Sequence, residues 1–332
     1  MLTLPDMQAH LHGLLEQIPP GKVTRYRTLA HALGDPIATR WVGHHLLHHA
    51  HTDGCPCHRV VQSSGRVGNY IDGGPLRKRA RLEGEGVHFH GDKINLAYYG
   101  FGAFATETPL QHLRGVQIEM TKQVCLKAVP GLPSIVAGVD VSYASASRGV
   151  ASYALVEVGS GKLIWSTSIR GDVAFPYISS YLAFRELPLH LELLAHVRQQ
   201  GRMAPLVLVD GTGILHPRQA GIASHLGVLA KVPTIGVTKR LLCGSANLLA
   251  MAPGDLRQIL HEGEAIGLGF QSKANTKPIY LSPGHQVDLD FVKTLAPLLA
   301  HGHKLPEPLY WADRLSRRHA KEKKTNQPDL FS

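Results

Sequence analysis

The sequence lacks the features that would direct a chain to a membrane or to an oxidising compartment. Four scattered cysteines in 332 residues argue against a disulfide framework and favour a reducing compartment. No apolar run approaches the roughly 18 residues that a membrane span needs, and the first residues lack the basic region of a signal peptide. We therefore expect a soluble, cytoplasmic protein with no membrane partner.

Acidic residues are scarce relative to basic ones. The sequence has 25 Asp and Glu against 35 Lys and Arg, which gives a formal net charge of +10. The pI of about 9.5 favours a polyanionic partner such as nucleic acid, and with it a place at the nucleoid, although many soluble proteins are equally basic. With 44% hydrophobic residues, the chain is long enough for two globular domains.

The first fifty residues contain the pattern of a helix-turn-helix. Apolar residues recur at helical spacing from Met7 to Gln17, and a Pro-Pro-Gly turn follows. A short helix is predicted from Val23 to Gly34 and a second from Thr39 to Leu47, with Asp35-Pro36 between them. Two short helices joined by a tight turn, the second beginning with arginine, fit a helix-turn-helix.

A cysteine in the segment GCPCHRVV is a candidate nucleophile. Cys57 is followed by a histidine and an arginine, and such neighbours favour the thiolate, the form that attacks an electrophile. One competing interpretation is a buried, unreactive cysteine. Another is a zinc site formed by Cys55, Cys57 and the histidine-rich run from His44 to His51. Cys-X-Cys lacks the usual zinc spacing and no second cysteine pair follows, which disfavours the zinc site.

Five motifs between residues 5 and 87 together resemble one family. They read IPPGKVTRYRTLA, TRWVG, PCHRVV, GRVGNY and LEGEG. In this order they resemble the DNA-binding domain of the O6-alkylguanine-DNA alkyltransferases and of the shorter alkyltransferase-like proteins. The resemblance implies a mainly α-helical domain of the winged helix-turn-helix kind that binds damaged DNA.

The same resemblance implies roles for individual residues. Cys57 matches the alkyl-accepting nucleophile, and His58 and Glu85 match the relay that deprotonates it through a water. The asparagine that usually supports the nucleophile is replaced in the region of His48 and His49. Alkyltransferase-like proteins have Trp at the position of the nucleophile and only bind the lesion, whereas this chain keeps the cysteine but has their short build.

Three further residues are expected to contact DNA. By the resemblance, Tyr26 rotates the target phosphate, Arg40 replaces the flipped base in the stack, and Arg59 lies at the DNA surface. Flipping is required because the reactive atom of the base is inaccessible inside a duplex.

Two isolated carboxylates mark the second half of the chain. Asp140 lies within the apolar run from Ile135 to Tyr143, and Asp210 ends the apolar run from Leu206 to Val209. A buried, ionised Asp is costly unless it is paired, and ligands of α/β sheets bind at the carboxyl ends of strands. Three antiparallel strands followed by alternating helices and strands predict a mixed α/β sheet with helices on its faces.

These acids form a candidate metal site together with Glu186, which stands just before a helix predicted to begin at Pro188. Converging carboxylate oxygens suit Mg²⁺ or Mn²⁺, which keep positions for water and a substrate phosphate and support phosphodiester hydrolysis. Lys239, at the end of a predicted strand, would stabilise phosphate charge. Each residue alone is more often an ordinary surface group.

The second half also carries a series of motifs that resembles one family. They read GVDVSY, FPYISSYLAFRE, LVDGTGILHPRQAGIASHLGV, PTIGVTKRLLCG, KPIYLSPGH and LPEPLYWADRLSR. They resemble endonuclease V, an RNase H-like nuclease that recognises deaminated adenine and nicks the strand at the second phosphodiester 3′ to the lesion. The resemblance implies that Asp140, Glu186 and Asp210 bind the metal and that Lys239 is catalytic.

The endonuclease V motifs also place His216 and His285 along the active site. Pro176-Tyr177-Ile178 matches the wedge that separates the strands, and Tyr177 would stack against bases. Ser179 and Thr212 depart from the residues usual in the family, a second proline and a bulkier polar residue.

We therefore expect four segments. Residues 1–92 form the alkyltransferase-type domain, 93–111 a linker, 112–318 the endonuclease V domain and 319–332 a basic tail. Gln327 to Phe331 (QPDLF) resembles the peptide with which bacterial repair proteins bind the sliding clamp, and a frayed terminus is the alternative.

The whole indicates a bifunctional DNA-repair protein that nicks DNA at deaminated bases and transfers alkyl groups to Cys57. The alternative is a first domain that only reads alkyl lesions and a nuclease that acts on inosine-containing RNA.

Overall fold

The computed structural model describes residues 3–127 and 130–322, so the candidate clamp-binding peptide lies outside the described residues. The chain divides into two compact units. The first unit contains residues 1–116 and the separate segment 175–181, and the second unit contains the remainder. In the described part of the chain, no helix is both long and apolar enough to cross a membrane.

The first unit is mainly α-helical, as the sequence predicts. Its helices are α1 (Met7–Glu16), α2 (Tyr26–Ala32), α3 (Thr39–Leu46), α4 (Gly74–Gly84), α5 (Leu96–Tyr99) and the start of α6 (Pro109–Thr121). Its strands are β1 (Thr24–Arg25), β2 (Val60–Val61), β3 (Phe89–His90) and β4 (Lys93–Ile94). Strands β1 and β2 pair in parallel, and β3 and β4 pair antiparallel.

The helix-turn-helix of the first unit is formed by α2 and α3. A single turn of 3₁₀ helix, Pro36–Ala38, separates them, and the side chain of Asp35 accepts a hydrogen bond from the backbone N–H of Ile37 at 3.0 Å. Helix α2 begins three residues later than the sequence predicts, at Tyr26, because Thr24 and Arg25 pair with β2 instead.

The residues expected to form a linker, 93–111, contribute to the first unit. Ile94 and Tyr99 are buried in its core with Val61 and Leu82, and Gly100 forms a parallel bridge with Val23. Burial of these apolar side chains draws the segment into the unit.

The second unit is built on an eight-stranded mixed sheet. Its strands are β5 (Ile135–Ser145), β6 (Arg148–Glu157), β7 (Leu163–Asp172), β8 (Val207–Asp210), β9 (Thr234–Thr238), β10 (Leu256–His261), β11 (Glu264–Phe270) and β12 (Ile279–His285). The strand order is β10-β11-β12-β9-β8-β5-β6-β7. Strands β5, β8 and β9 are parallel to one another, and the other pairs are antiparallel. The mixed α/β sheet expected from the sequence is confirmed.

Helices cover both faces of this sheet. They are α7 (Leu182–Gln199), α8 (Ile222–Ala230), α9 (Leu289–Leu295) and α10 (Glu307–Lys321). Because side chains alternate along a strand, Ala137 and Val139 of β5 join a core with α7 and α8. Val136, on the opposite side of the strand, joins a second core with α9 and α10.

Helix α7 is longer than predicted, and this changes the setting of Glu186. The helix begins at Leu182, so Pro188 lies inside it rather than at its first position, and Glu186 is on the helix rather than before it. Proline lacks an N–H group and cannot donate to the carbonyl four residues earlier, so a proline normally indicates a helix start. The apolar face that α7 packs against the sheet maintains the helix through this missing bond.

His190 of α7 is a buried histidine for which we predict a measurable pH effect. The residue is 0% exposed, neither ring nitrogen has a hydrogen-bond partner among the described residues, and burial lowers its pKa from 6.5 to about 4. The unfolded chain binds the proton more readily between these values. The stability tied to this group is therefore complete above pH 6.5 and is lost as the pH falls towards 4.

Between pH 7 and 4, His190 should lower the free energy of unfolding by on the order of 2–3 kcal/mol, and we expect His190→Leu to remove this loss. The same variant should also stabilise the second unit at neutral pH. His190→Asn should remove the pH dependence without that stabilisation. Hydrogen exchange of the α7 amides between pH 4 and 7 measures both effects. An unchanged pH dependence in both variants would show that His190 has the same pKa in the folded and the unfolded chain.

Candidate functional site

The register of two parallel strands places Asp140 beside Asp210. Val139 of β5 pairs with Val209 of β8, so the next residue on each strand is an aspartate. The alternation of side chains puts both aspartates on the face that packs against α9 and α10. The structure thus brings together the two acids that the sequence singled out.

Helix α10 lies over this point of the sheet and adds a third acid. Gly138 makes the close approach possible, because a Cβ at this position would collide with the backbone of Pro308. Leu309, Ala312 and Ser316 on α10 are buried at helical spacing, and Asp313 lies on the same side.

Three carboxylates from three separate elements meet here. One oxygen each of Asp140, Asp210 and Asp313 lies within 4.8 Å of the others. The hydroxyl of Ser316 donates a hydrogen bond to Asp140. Burial, followed by the charge of Asp210, raises the pKa of Asp140 to about 7. A nearby cation would lower the electrostatic cost of ionising all three acids.

Glu186 approaches the same cluster from α7. It is buried, and its carboxylate accepts a hydrogen bond from the hydroxyl of Tyr143 at 2.5 Å. Burial raises the pKa of Glu186 to about 8, and the charges of Asp140 and Asp210 add to the rise. Glu186 is not among the three acids with oxygens within 4.8 Å, so its predicted role as a metal ligand stays a prediction.

Lys239 supplies a positive charge to the cluster. Its Nζ lies 3.1 Å from Oδ2 of Asp210 and 3.2 Å from Oδ1 of Asp313. Burial alone would lower the pKa of Lys239, but the two carboxylates outweigh it and the pKa is raised. Arg317 makes a further ion pair with Asp313 at 2.9 Å. The ammonium group is therefore charged, and it is positioned at the cluster as the sequence predicts.

The residues of this cluster fit a hard divalent cation. The donors are carboxylate oxygens, the ligands that Mg²⁺ and Mn²⁺ prefer, and one oxygen of each acid lies within 4.8 Å of the others. Asp140, Asp210 and Asp313 are the residues that would hold the ion.

The two histidines predicted for the active site lie outside the acidic cluster. His285, at the end of β12, is buried and accepts a hydrogen bond from the backbone N–H of Cys125 at 3.2 Å. His216 is buried and accepts one from Arg218 at 3.2 Å. Neither ring belongs to the acidic cluster, and their roles in catalysis stay predictions.

The wedge segment of residues 175–181 groups with the first unit. Tyr177 is 62% exposed, which leaves its ring free to stack. The hydroxyl of Tyr181 donates to Oδ2 of Asp35 at 2.8 Å and to the carbonyl of Leu110 at 3.3 Å. Strand separation by Tyr177 stays a prediction.

Asp313 and Tyr143 contact the site but were not predicted from the sequence. Asp313 is in the motif LPEPLYWADRLSR, and it lies four residues from the buried Leu309 on a helix with an apolar stripe. That spacing indicated an acid at the edge of a packed face. Tyr143 had no comparable signal, because its contact with Glu186 depends on how α7 crosses β5.

The first unit contains a second candidate site around Cys57. This cysteine lies on the 3₁₀ turn Pro56–Arg59 and is 3% exposed. Its Sγ lies 3.6 Å from Nδ1 of His51, and Sγ of Cys55 lies 3.3 Å from Nε2 of His49. The hydrogen bond from Cys57 lowers the pKa of Cys55 to about 4, and the same bond, with burial, raises the pKa of Cys57.

His58 and Glu85 form the pair expected from the sequence. Nε2 of His58 lies 2.7 Å from Oε1 of Glu85, and Nδ1 lies 3.4 Å from the carbonyl of Cys55. Burial opposes ionisation of Glu85, but hydrogen bonds from Arg59, His58 and the backbone N–H of Gly21 outweigh it and lower the pKa of Glu85. The ionised form of Glu85 is thus favoured, and the pair lies close to the turn that carries the cysteine.

Arg59 points into the first unit. Its guanidinium binds Glu85 at 2.8 Å and the carbonyl of Ile18 at 2.6 Å, and its side chain is 15% exposed. These contacts position Glu85, and the expected contact of Arg59 with DNA stays a prediction. Arg40 of α3 is exposed and Tyr26 of α2 half-buried, so their predicted DNA contacts also stay predictions.

Lys78 is a buried cation that the sequence analysis missed. Its Nζ donates to the carbonyl of Val60 at 2.5 Å, and burial lowers its pKa to about 8. The charges of Lys78 and Arg81 each favour the thiolate of Cys57. The spacing of α4 did not reveal it, because the helix is strongly basic along its length.

Comparison with known proteins matches each unit to a family. Residues 118–314 match the family model of endonuclease V. Residues 6–87 match the family model described as 6-O-methylguanine DNA methyltransferase, DNA binding domain.

Individual relatives agree with the endonuclease V match. Endonuclease V of Xylella fastidiosa is 36% identical over 231 residues, which cover 68% of this chain and 95% of that protein. The catalytic domain of human endonuclease V is 32% identical, with a TM-score of 0.60, and the match covers 65% of this chain and 97% of that domain. A Ciona intestinalis endonuclease V, solved with DNA containing an inosine followed by a ribo-adenosine, is 25% identical with a TM-score of 0.59; the match covers 65% of this chain and 99% of that one. The chain thus belongs to the endonuclease V family and joins to that nuclease an amino-terminal DNA-binding domain of the alkyltransferase type.

Proposed function

We propose that the second unit is a metal-dependent endonuclease that nicks DNA at the second phosphodiester 3′ to deoxyinosine and other deaminated bases. The observation that best supports this proposal is that Asp140, Asp210 and Asp313 converge within 4.8 Å beside Lys239. The Ciona intestinalis relative, which was crystallised with inosine-containing DNA, supports the substrate class.

The residues of the acidic cluster divide the work of phosphodiester hydrolysis. Asp140, Asp210 and Asp313 would hold a Mg²⁺ or Mn²⁺ ion, which would supply activation of the attacking water and stabilisation of the leaving oxygen. Glu186, held by Tyr143, adds a carboxylate that can accept a proton from that water. Lys239 holds a fixed positive charge where the phosphate charge develops.

Helix α10 offers the phosphate backbone a basic surface next to Asp313. Arg314, Arg317, Arg318 and Lys321 line an open cavity of about 590 Å³ together with this acid. Phosphate contacts of this kind bind without regard to sequence and weaken with salt. They position the strand, while recognition of the base must come from other groups.

The acidic cluster makes a direct prediction for nicking of inosine-containing DNA. Asp140→Ala, Asp210→Ala and Asp313→Asn should each lower kcat on the order of 10³-fold or more, because each removes a donor for the cation. Asp290→Asn, on the exposed side of α9, is the matched control and should keep full activity. Nicking is measured on a labelled duplex with Mg²⁺, and thermal unfolding verifies the fold. Full activity in the Asp140 and Asp210 variants would show that the cation lies elsewhere.

A second candidate substrate is inosine in RNA. The observation that favours it is the ribo-adenosine that follows inosine in the DNA bound to the Ciona intestinalis relative. We expect deoxyinosine DNA to be nicked with the highest kcat/KM. Competition among DNA, RNA and DNA with one ribonucleotide 3′ to the inosine measures this preference. A clear preference for the RNA would assign the nuclease to RNA instead.

For the first unit we propose transfer of an alkyl group from O6-alkylguanine to Cys57. The sulfur forms a bond to the alkyl carbon while the bond from that carbon to the guanine oxygen breaks, and the guanine keeps the electron pair and takes up a proton. Support comes from the match of residues 6–87, the position of Cys57 on a buried turn and the nearby His58–Glu85 pair. The sulfur must first lose its proton, which the positive charges of Lys78 and Arg81 favour.

Incubation with DNA that contains O6-methylguanine tests this transfer. We expect one methyl group per chain, located on the Cys57 peptide by mass spectrometry, and none in Cys57→Ala. Cys243→Ser controls for unspecific reaction of thiols and should accept the methyl group normally. Binding of the lesion with no transfer would instead make the first unit a reader of alkyl damage.

A further inference from the structure

The loop after α3 and the turn that carries Cys57 bring together four metal-ligating side chains, from the set that the sequence analysis considered as a zinc site and disfavoured on spacing. His49, His51, Cys55 and Cys57 each contribute one donor atom, and the four atoms lie within 4.8 Å of one another. Cys57 and His49 are buried, at 3% and 7% exposed, and the other two are half-buried. We propose that these side chains form a zinc site in the first unit.

The separation of the donor atoms within each histidine–cysteine pair matches tetrahedral zinc. With Zn–S bonds of about 2.3 Å and Zn–N bonds of about 2.0–2.1 Å, a nitrogen and a sulfur ligand lie about 3.5 Å apart. Of the four nitrogen–sulfur separations, that of His49 with Cys55 is 3.3 Å and that of His51 with Cys57 is 3.6 Å. Two imidazoles and two thiolates are a ligand set typical of structural zinc, and their softness disfavours Mg²⁺.

The surroundings of His51 support the same assignment. Its Nδ1 faces the sulfur of Cys57, and its Nε2 lies 3.5 Å from the hydroxyl of Tyr70 and 3.8 Å from Oδ2 of Asp72. That carboxylate oxygen is buried and has no hydrogen-bond partner among the described residues. Histidines that bind zinc generally donate their second N–H to such a group, which orients the ring.

The fold explains why the spacing His-X-His-X₃-Cys-X-Cys escapes the usual zinc pattern. Helix α3 ends at Leu46, and the chain then turns back on itself before the 3₁₀ turn of Pro56–Arg59. The reversal brings residues six apart in sequence face to face, His49 with Cys55 and His51 with Cys57. Each histidine is thus matched to one cysteine by the loop and not by a helix or hairpin.

This site shares Cys57 with the proposed alkyl acceptor, but zinc binding does not depend on alkyl transfer. Metal binding is measured without DNA, so failure of either proposal is distinguishable from failure of the other. Zinc-bound cysteine is a thiolate, so zinc would hold Cys57 in the deprotonated form.

The test uses the full-length chain, purified under reducing conditions without a metal-affinity step. We expect one tightly bound zinc ion per chain that resists dialysis, and a chelator should remove it. Replacement by Co²⁺ should give the intense sulfur-to-cobalt absorption and the visible bands of a tetrahedral site. The acidic cluster of the second unit has no sulfur and cannot produce this signature.

Variants assign the signal to its ligands. His49→Ala, His51→Ala and Cys55→Ser should each lose the zinc, and Asp72→Asn should weaken it by about 10- to 100-fold. His48→Ala, an exposed histidine of the same run, is the matched control and should keep it. Circular dichroism verifies the fold, and the cobalt spectrum reports the ligands in variants that retain metal. A wild-type chain without zinc under reducing conditions, or with zinc unaffected by Cys55→Ser and His49→Ala, would overturn the proposal.

Discussion

The second unit depends on the crowding of carboxylates at one point of its sheet. Two unit charges 4.8 Å apart repel by roughly 3 kcal/mol at an effective dielectric constant of about 20. Three acids lie within this distance, and Glu186 is held nearby by a tyrosine hydroxyl. Apolar packing on both faces of the sheet holds the elements that carry these acids in place. Lys239 and Arg317 offset part of this repulsion, and a bound divalent cation would offset more.

The candidate metal sites of the two units differ in the type of donor atom. The second unit gathers hard carboxylate oxygens around a lysine, a set that suits Mg²⁺ and a phosphodiester. The first unit gathers imidazole nitrogens and thiols in a loop, a set that suits zinc and a sulfur nucleophile. Residues 118–314 match endonuclease V and residues 6–87 match the DNA-binding domain of 6-O-methylguanine DNA methyltransferase, so the chain combines a nuclease fold with a DNA-binding fold.

Much of the acidic cluster in the second unit was predictable, because the sequence pattern that indicates it lies within short segments of the chain. Asp140 and Asp210 are isolated acids in apolar runs, and a strand pattern places such acids at the end of a sheet. Lys239 was predicted for the same reason, because it also stands at the end of a predicted strand. Asp313 was not predicted, since its contribution depends on α10 crossing β5 at Gly138, where the absence of a side chain lets the helix backbone approach. The extent of α7 was misjudged because the packing of its apolar face overrides the break that Pro188 normally indicates.

The sequence by itself determined the two families, the fold class and most acids of the cluster in the second unit. Motifs and hydrophobic periodicity depend on residues that are close in sequence, so they can be read without the structure. Only the tertiary structure decided which side chains meet. It turned Arg59 inward onto Glu85, joined the segment 175–181 to the first unit and brought two histidines to two cysteines across a loop. The physical reason is that donor atoms converge through backbone reversals and packing contacts, and residue spacing alone records neither.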